Sequence, residues 1–328
     1  MNATTTIYKK MTNYGIKNFS ALRQPQLEQY LHRINLAPAT ILGRKPALDT
    51  INMITRNHMK SIPFENLALL CQGTPGPLAT DSVFEQLVTK RRGGYCYQNT
   101  ILLVGALQSL GFRASTGLAR MIKWNETQKE YLVGPLIHMV GFIEAPNPET
   151  GNPTTYLLDA GRHRFQQVLE IKDGATFVNF AGETYQIRKE EGEPHHSPCE
   201  NYSIYQKRAP WAELAEGVDP EGDGFQIQFS FSMERYRPAD YEVFNHFATT
   251  GKKHVLQDML FVNIASKTGG QSSFLGNAFR RREDVQYQSL DKKVDVTSLE
   301  QFEEILNSEF GLKMSEEERV GAAKSMKF

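Results

Sequence analysis

Apolar positions along the chain change period twice, at about Arg113 and again at about Met233. From Leu27 to Leu36, and from Leu48 through Ile51, Ile54 and His58, they recur at helical spacing. Pro25 suits the start of the first helix and Asp49 the first turn of the second, which is predicted to end near Ser61 and Pro63. After a GTPGP loop at 73–77, Val83, Phe84, Leu87 and Val88 form the face of a short helix. The run from Ile101 to Leu110 predicts another, stopped by Gly111. Beyond Arg113 the segments TGLARM, LIHMVGF, TYLLD, QQVLE, TYQIR, YSIYQ and FQIQFSFS read as strands, with loop signals at 145–153 and 189–198. The last part holds DYEVFNHFATTGKKH, the run MLFVNIASK and a helix over 297–310. That helix is predicted to open with a Thr297/Glu300 capping box and to bury Leu299, Phe302, Ile305 and Leu306.

The expected fold class is α+β. It comprises an N-terminal helical bundle over 1–112, a central antiparallel β-barrel over 113–232 and a C-terminal α/β lid over 233–328. Residues 1–20 read as an extension that wraps or frays, and 311–328 as a charged, loosely docked tail. Lys plus Arg equals Asp plus Glu at 37 each, so charge gives no case for nucleic acid or an anionic membrane as partner. No stretch reads as a membrane span or a leader, and a cytoplasmic protein, monomeric or weakly homo-oligomeric, is the expectation. Cys71, Cys96 and Cys199 lack disulfide or zinc spacing. His195 and His196 near Cys199 read as a solvated loop, so no metal is expected.

Chemistry concentrates in residues 91–98, RRGGYCYQ. Cys96 falls at a helix start, where free N–H groups and the dipole favour an anion, and Arg92 adds a nearby cation, so its thiol is expected to move toward thiolate. Gly93 and Gly94 allow close approach to the sulfur. His138 lies on one strand-like run and Asp159 ends the next, which makes a Cys/His/Asp set suited to thiol acyl transfer. From the residues alone, a buried core cysteine in a tight turn reads equally well. His58, on the apolar stripe of its helix, reads as a satisfied structural histidine.

Together RGGYC, IPFENLAL from Ile62 to Leu69, the His of IHMV and LLDAG from Leu157 to Gly161 resemble the arylamine N-acetyltransferases in order and spacing, from about Tyr30 to at least Phe261. The resemblance implies a cysteine-protease-like core, no resident cofactor, and acetyl-CoA or malonyl-CoA and an arylamine or arylhydrazine as the substrates of a ping-pong cycle. Cys96 would be the nucleophile, His138 its ion-pair partner and proton carrier, and Asp159 the carboxylate that orients the imidazole. Gly134, Pro135, Phe247 and Lys253 take the positions that contact CoA, and Phe64, Tyr97 and Ile137 those of the acceptor pocket. Two departures stand out: Thr250, Gly251 and Lys252 replace the usual TSP turn, and Arg162, His163 and Arg164 replace small residues after Asp159. Guanidinium groups there suit a free carboxylate on the acyl chain, as in fungal members that use malonyl-CoA. A papain- or transglutaminase-like thiol hydrolase and a catalytically silent CoA-binding module are the alternatives.

Overall fold

The computed structural model describes residues 19–125, 127–161, 165–179, 182–190, 201–207, 223–251, 255–266, 270–282 and 291–326. Most of the N-terminal extension lies outside them, as do His195, His196 and Cys199. The helical part runs α1 Gln24–Arg33, α2 Leu48–Ser61, α3 Leu67–Gln72, α4 Thr80–Phe84 and α5 Cys96–Ser109, with strand β1 Phe64–Glu65 between α2 and α3. Helix α1 starts and stops earlier than the pattern predicts. Pro25 sits inside its first turn, and Asn35 breaks it with φ 58°. Helix α4 passes into a π-helical turn, Glu85–Thr89, in which the Lys90 N–H reaches the Glu85 carbonyl at 2.9 Å. Apolar on all sides, α5 is buried from Cys96 to Leu107 and forms the axis of the main core.

Strands β2 Arg113–Asn125, β3 Glu130–Pro146, β4 Pro153–Leu158, β5 Leu169–Glu170, β6 Thr176–Val178, β7 Thr184–Lys189, β8 Asn201–Lys207 and β9 Phe225–Ser232 form one antiparallel, barrel-like sheet. Its order is β5-β4-β3-β2-β9-β8-β7-β6. Period-two alternation gives its middle strands two buried faces. On β3, Met139 and Ile143 join the core around α5, whereas Val140 and Phe142 join a second core with Tyr185, Ile187 and Phe229. The QQVLE segment yields only the two residues of β5. Its Val168 N–H donates to Asn52 Oδ1 on α2 (3.0 Å) instead of to a ladder.

Beyond β9 come α6 Pro238–Thr250, α7 Val255–Asp258, β10 Phe261–Ala265, β11 Gln271–Leu275, β12 Ala278–Arg282, β13 Asp291–Asp295, α8 Leu299–Phe310 and α9 Glu316–Ser325. A five-stranded sheet, β1-β10-β11-β12-β13, packs Phe274 and Phe279 against Phe302 and Phe310 of α8. Two sequence expectations are corrected. The cap of α8 is Ser298, whose Oγ accepts from the Gln301 N–H (3.2 Å), because Ser298 takes the extended backbone of the position just before the helix. The tail is no loose segment either. Helix α9 has a Ser315/Glu318 capping box and buries Glu318, Gly321 and Ala322. Gly321 lies flush on α3, where a Cβ would come within 2.7 Å of the Cys71 carbonyl carbon.

The edge strand β1 ties the two ends of the chain together, with Phe64 opposite Asn263 and Glu65 opposite Val262. Asn66 completes the joint. Its Nδ2 donates to the carbonyls of Leu256 (2.7 Å) and Met259 (2.9 Å), and its Oδ1 accepts from the Phe261 N–H (2.7 Å). Replacing Asn66 with Ala removes the hydrogen bonds it makes to three backbone groups, and a buried polar group deprived of its partner costs about 1–3 kcal/mol. Some relaxation toward water is expected, so the loss in unfolding free energy should be about 2–4 kcal/mol in urea denaturation.

Candidate active site

Cys96 is the first residue of α5, in the turn whose backbone N–H groups have no intrahelical partner. The loop before it is held from several directions. Gly94 N–H donates to the Pro63 carbonyl (3.2 Å), Glu65 N–H to the Gly94 carbonyl (3.1 Å) and Arg92 N–H to the Gln86 carbonyl (3.0 Å). Gln86 Nε2 donates to the Gly93 carbonyl (2.7 Å), and the Tyr95 N–H donates to Gln98 Oε1 (3.1 Å). A relay runs in from α1: Tyr30 Oη lies 3.0 Å from His58 Nδ1, and His58 Nε2 lies 3.0 Å from Asn99 Oδ1. Since Asn99 Nδ2 donates to the Gly94 carbonyl (2.5 Å), Oδ1 accepts, which places the His58 proton on Nε2. His58 thus braces the loop from within the core.

His138 arrives through a β-bulge. Ala119 pairs with His138 and Arg120 with Leu136, so Ile137 is the extra residue on β3, and its carbonyl lies 4.0 Å from Cys96 Sγ. The His138 ring stands edge-on to Phe229 at 5.5 Å, and its Nε2 contacts Asp159 Oδ1 at 3.0 Å. Asp159 follows β4 directly, is fully buried, and also accepts the Gly161 N–H (3.0 Å). Its Oδ2 has no hydrogen-bond partner among the described residues. With Nε2 engaged by the carboxylate, Nδ1 is the ring nitrogen left for the thiol. Burial opposes charge on His138. The charge and hydrogen bond of Asp159, with the hydrogen bond and charge of Cys96, outweigh it and push the imidazole up to about 10. The space between the groups is closed by Gly161, where a Cβ would lie 2.5 Å from Cys96 Cβ and 2.9 Å from His138 Cε1.

Arg92 departs from its expected role. Its guanidinium contacts Glu65 Oε1 (3.0 Å) and both oxygens of Glu318 (2.7 and 2.9 Å), so its charge is matched by carboxylates and the cation beside the thiol is His138. Sequence reasoning missed Glu65 as a partner of Arg92, although the PFEN motif contains it. It also missed Glu318, one of three consecutive glutamates that give no local sign of burial.

Among the other expected residues, Tyr97 is wholly buried, edge-on to Tyr95 at 6.0 Å, with its hydroxyl unpartnered among the described residues. Phe64 packs half-buried against the core that holds Cys96. Gly134 accepts from Arg120 Nη1 at 3.3 Å, and Pro135 beside it is exposed. Phe247 is 50% exposed on α6, one turn from Val243 at 67%. Asn245, on the same helix, accepts from the Tyr95 hydroxyl at 2.6 Å. Lys253, Arg162 and Arg164 lie outside the described residues. A cleft of about 680 Å³ opens behind the loop, lined by Glu65, Gly94, Tyr95 and Glu318 but by none of Cys96, His138 and Asp159.

Solved structures share this architecture. The arylamine N-acetyltransferase of Mycobacterium abscessus matches with a TM-score of 0.72 at 20% identity, over 92% of this chain and 94% of its own. The Mycobacterium marinum enzyme in complex with CoA gives 0.70 at 22%, over 92% and 100%. The fold is therefore the α+β fold of arylamine N-acetyltransferases, a helical unit that brings a cysteine to the mouth of a barrel. In sequence, arylamine N-acetyltransferase 2 of Mus musculus is 26% identical over 293 residues, 88% of this chain and 94% of its own length. The Mycolicibacterium smegmatis enzyme is 36% identical over 133 residues, 40% of this chain and 44% of its own. The N-acetyltransferase family model matches residues 47–319, and the chain belongs to the arylamine N-acetyltransferase family.

The raised proton affinity of His138 has a defined sign. The folded chain holds that proton more tightly than the unfolded one, so the resulting stabilisation is complete below the ordinary value of 6.5 and is lost as pH rises through about 10. In an NMR titration the His138 ring should show no step between pH 6 and 8. Replacing Cys96 with Ala removes two of the raising influences and should bring the step down toward neutrality, while Asp159 keeps it above 6.5. Gly161→Ala should lower it too, by wedging the pair apart.

Proposed function

We propose that the protein is an acyl-CoA:arylamine N-acyltransferase that works by a ping-pong cycle through a thioester on Cys96. The convergence of Cys96, His138 and Asp159 at the start of a buried helix carries this reading. The Cys96 sulfur attacks the thioester carbonyl of acyl-CoA, first-turn N–H groups of α5 receive the developing oxyanion, and the CoA sulfur leaves with a proton from the His138 imidazolium. The neutral imidazole then takes a proton from the arylamine nitrogen as it attacks the acyl-enzyme. Departure of the Cys96 thiolate restores the ion pair. Asp159 holds the imidazole by Nε2 and balances its charge throughout. For CoA, the exposed Phe247 on α6 and the exposed Pro135 on β3 offer apolar rings. A role in xenobiotic detoxification accords with arylamine acceptors.

The test is a panel of acyl-CoA donors against arylamines, with mass spectrometry of the intact chain. Transfer with a transient acyl adduct on the Cys96 peptide is expected, and hydrolysis alone would reveal a thiol hydrolase. Cys96→Ala should lose both adduct and turnover while still binding CoA. Asp159→Asn should reduce kcat/KM by about 10²-fold or more, at ~1.4 kcal/mol per tenfold, through the misheld and less basic imidazole. For the donor, we propose that malonyl-CoA serves at least as well as acetyl-CoA, with Arg162 or Arg164 reading the free carboxylate. Replacing the responsible arginine with Met should lower kcat/KM for malonyl-CoA by about tenfold, equivalent to ~1.4 kcal/mol, and leave acetyl-CoA little changed. Equal losses would assign both arginines to CoA itself.

A further inference from the structure

The C-terminal helix reaches the nucleophile loop through one buried side chain. Glu318 is almost fully buried, takes Arg92 Nη1 and Nη2 on its two oxygens, and closes its own helix by accepting the Ser315 N–H (2.8 Å). Glu65 takes the same guanidinium from the other side and accepts the Leu67 N–H (2.8 Å) at the start of α3. Two carboxylates face one cation. Each also accepts an N–H at a helix N-terminus, which compensates the surplus negative charge. Such a cluster fixes Arg92 in place, because a planar guanidinium held through both Nη1 and Nη2, the latter shared by two carboxylates, cannot turn or slide without breaking charge-assisted bonds.

The loop after Arg92 has no slack to absorb a shift. A Cβ on Gly93 would collide with the Pro63 carbonyl oxygen and come within 2.7 Å of Glu65 Cγ, and one on Gly94 within 2.7 Å of Gln98 Cβ. Displacement of Arg92 is therefore passed through Gly93, Gly94 and Tyr95 to Cys96. We infer that Glu318 is a positioning residue for Cys96, so that helix α9 sets the place of the sulfur against His138 through Arg92. Misplacement of reacting groups by about 1 Å costs on the order of 10²-fold in rate, so a partial shift is large enough to measure. The inference rests on Cys96 being the acylated thiol.

The test compares Glu318→Gln, Glu318→Leu and Arg319→Ala in the full chain. Arg319 pairs with Glu303 of α8 (3.3 Å), so its loss weakens the docking of α9 without touching Arg92. Each variant is checked for folding by circular dichroism, and those that fold are assayed well below their melting temperatures. The rate of Cys96 acylation by acetyl-CoA in a single turnover should fall by about tenfold in the Gln variant and further in the Leu variant. Affinity for free CoA should stay constant, and Arg319→Ala should acylate at the parental rate despite a lower Tm. Parental rates in both Glu318 variants, or losses that track Tm alike in all three, would overturn the inference. Peptide-resolved iodoacetamide labelling of Cys96 gives a readout independent of CoA. If the parent chain forms no acyl-enzyme, the proposed function fails, and the labelling ratio still decides the role of Glu318: reduced Cys96 labelling supports it, and unchanged labelling rejects it. Should Glu318→Leu not fold, the Gln variant carries the decision alone.

Discussion

Carboxylates taken into a protein interior must meet a counter-charge there, and the buried Glu65 and Glu318 both meet Arg92, which is itself 20% exposed. Satisfying that requirement brings together β1, the loop before α5 and the C-terminal helix, three segments far apart in the chain. Breaking such a buried pair by removing one partner typically costs about 3–5 kcal/mol, whereas forming it adds less than its geometry suggests. The cluster therefore acts more as a specifier of position than as a source of stability. Its neighbour Cys71 feels the same charges: burial, Glu318 and Glu65 push that thiol up to about 12, against the opposing pull of Arg92. One chain thus holds a cysteine kept neutral beside the Arg92 cluster and another facing an imidazolium.

Those parts of the fold that follow from local periodicity were legible in the sequence. Helix α2 and the apolar run of α5 sit where the pattern puts them, and His138 on β3 and Asp159 just after β4 come from neighbouring strands in the order that LIHMVGF and TYLLD imply. The short strand β6 was not foreseen. Nor was the antiparallel β12–β13 pair, whose arginines and lysines mask an alternation that sends Phe279 and Val294, with Val296 just beyond, to the core. Burial of charge was the least legible feature of all. Of Glu316, Glu317 and Glu318, only Glu318 stands three residues after Ser315 as a capping-box partner, but nothing in the string shows that it also enters the interior, which packing against α3 decides. Arg92 illustrates the same point, since proximity in sequence to Cys96 suggested a partner that the tertiary structure assigns elsewhere.

The site also shows how a sheet corrects the aim of a side chain. Strict pairing of β2 with β3 would fix His138 and Ile137 on opposite faces of a flat ribbon. The extra residue at Ile137 twists the strand locally and turns a carbonyl toward the thiol. Gly161 then permits the approach of two residues that any side chain would hold apart.

Arg92 and Glu318 are separated by 226 positions, and Asn66 lies 190 to 195 positions from its partners at the start of β10. On a ribosome adding roughly 5–20 residues per second, Glu318 is joined to the chain on the order of 10–45 s after Arg92. Throughout that interval an arginine destined for the interior has one carboxylate instead of two, and β1 waits without the strand it pairs with. The N-terminal helices can collapse early, but the loop that carries the cysteine cannot be finished until synthesis of α9. Maturation of the thiol is thereby tied to synthesis of α9, and a chain interrupted before Glu318 would carry every residue of the Cys96, His138 and Asp159 set without that carboxylate on Arg92.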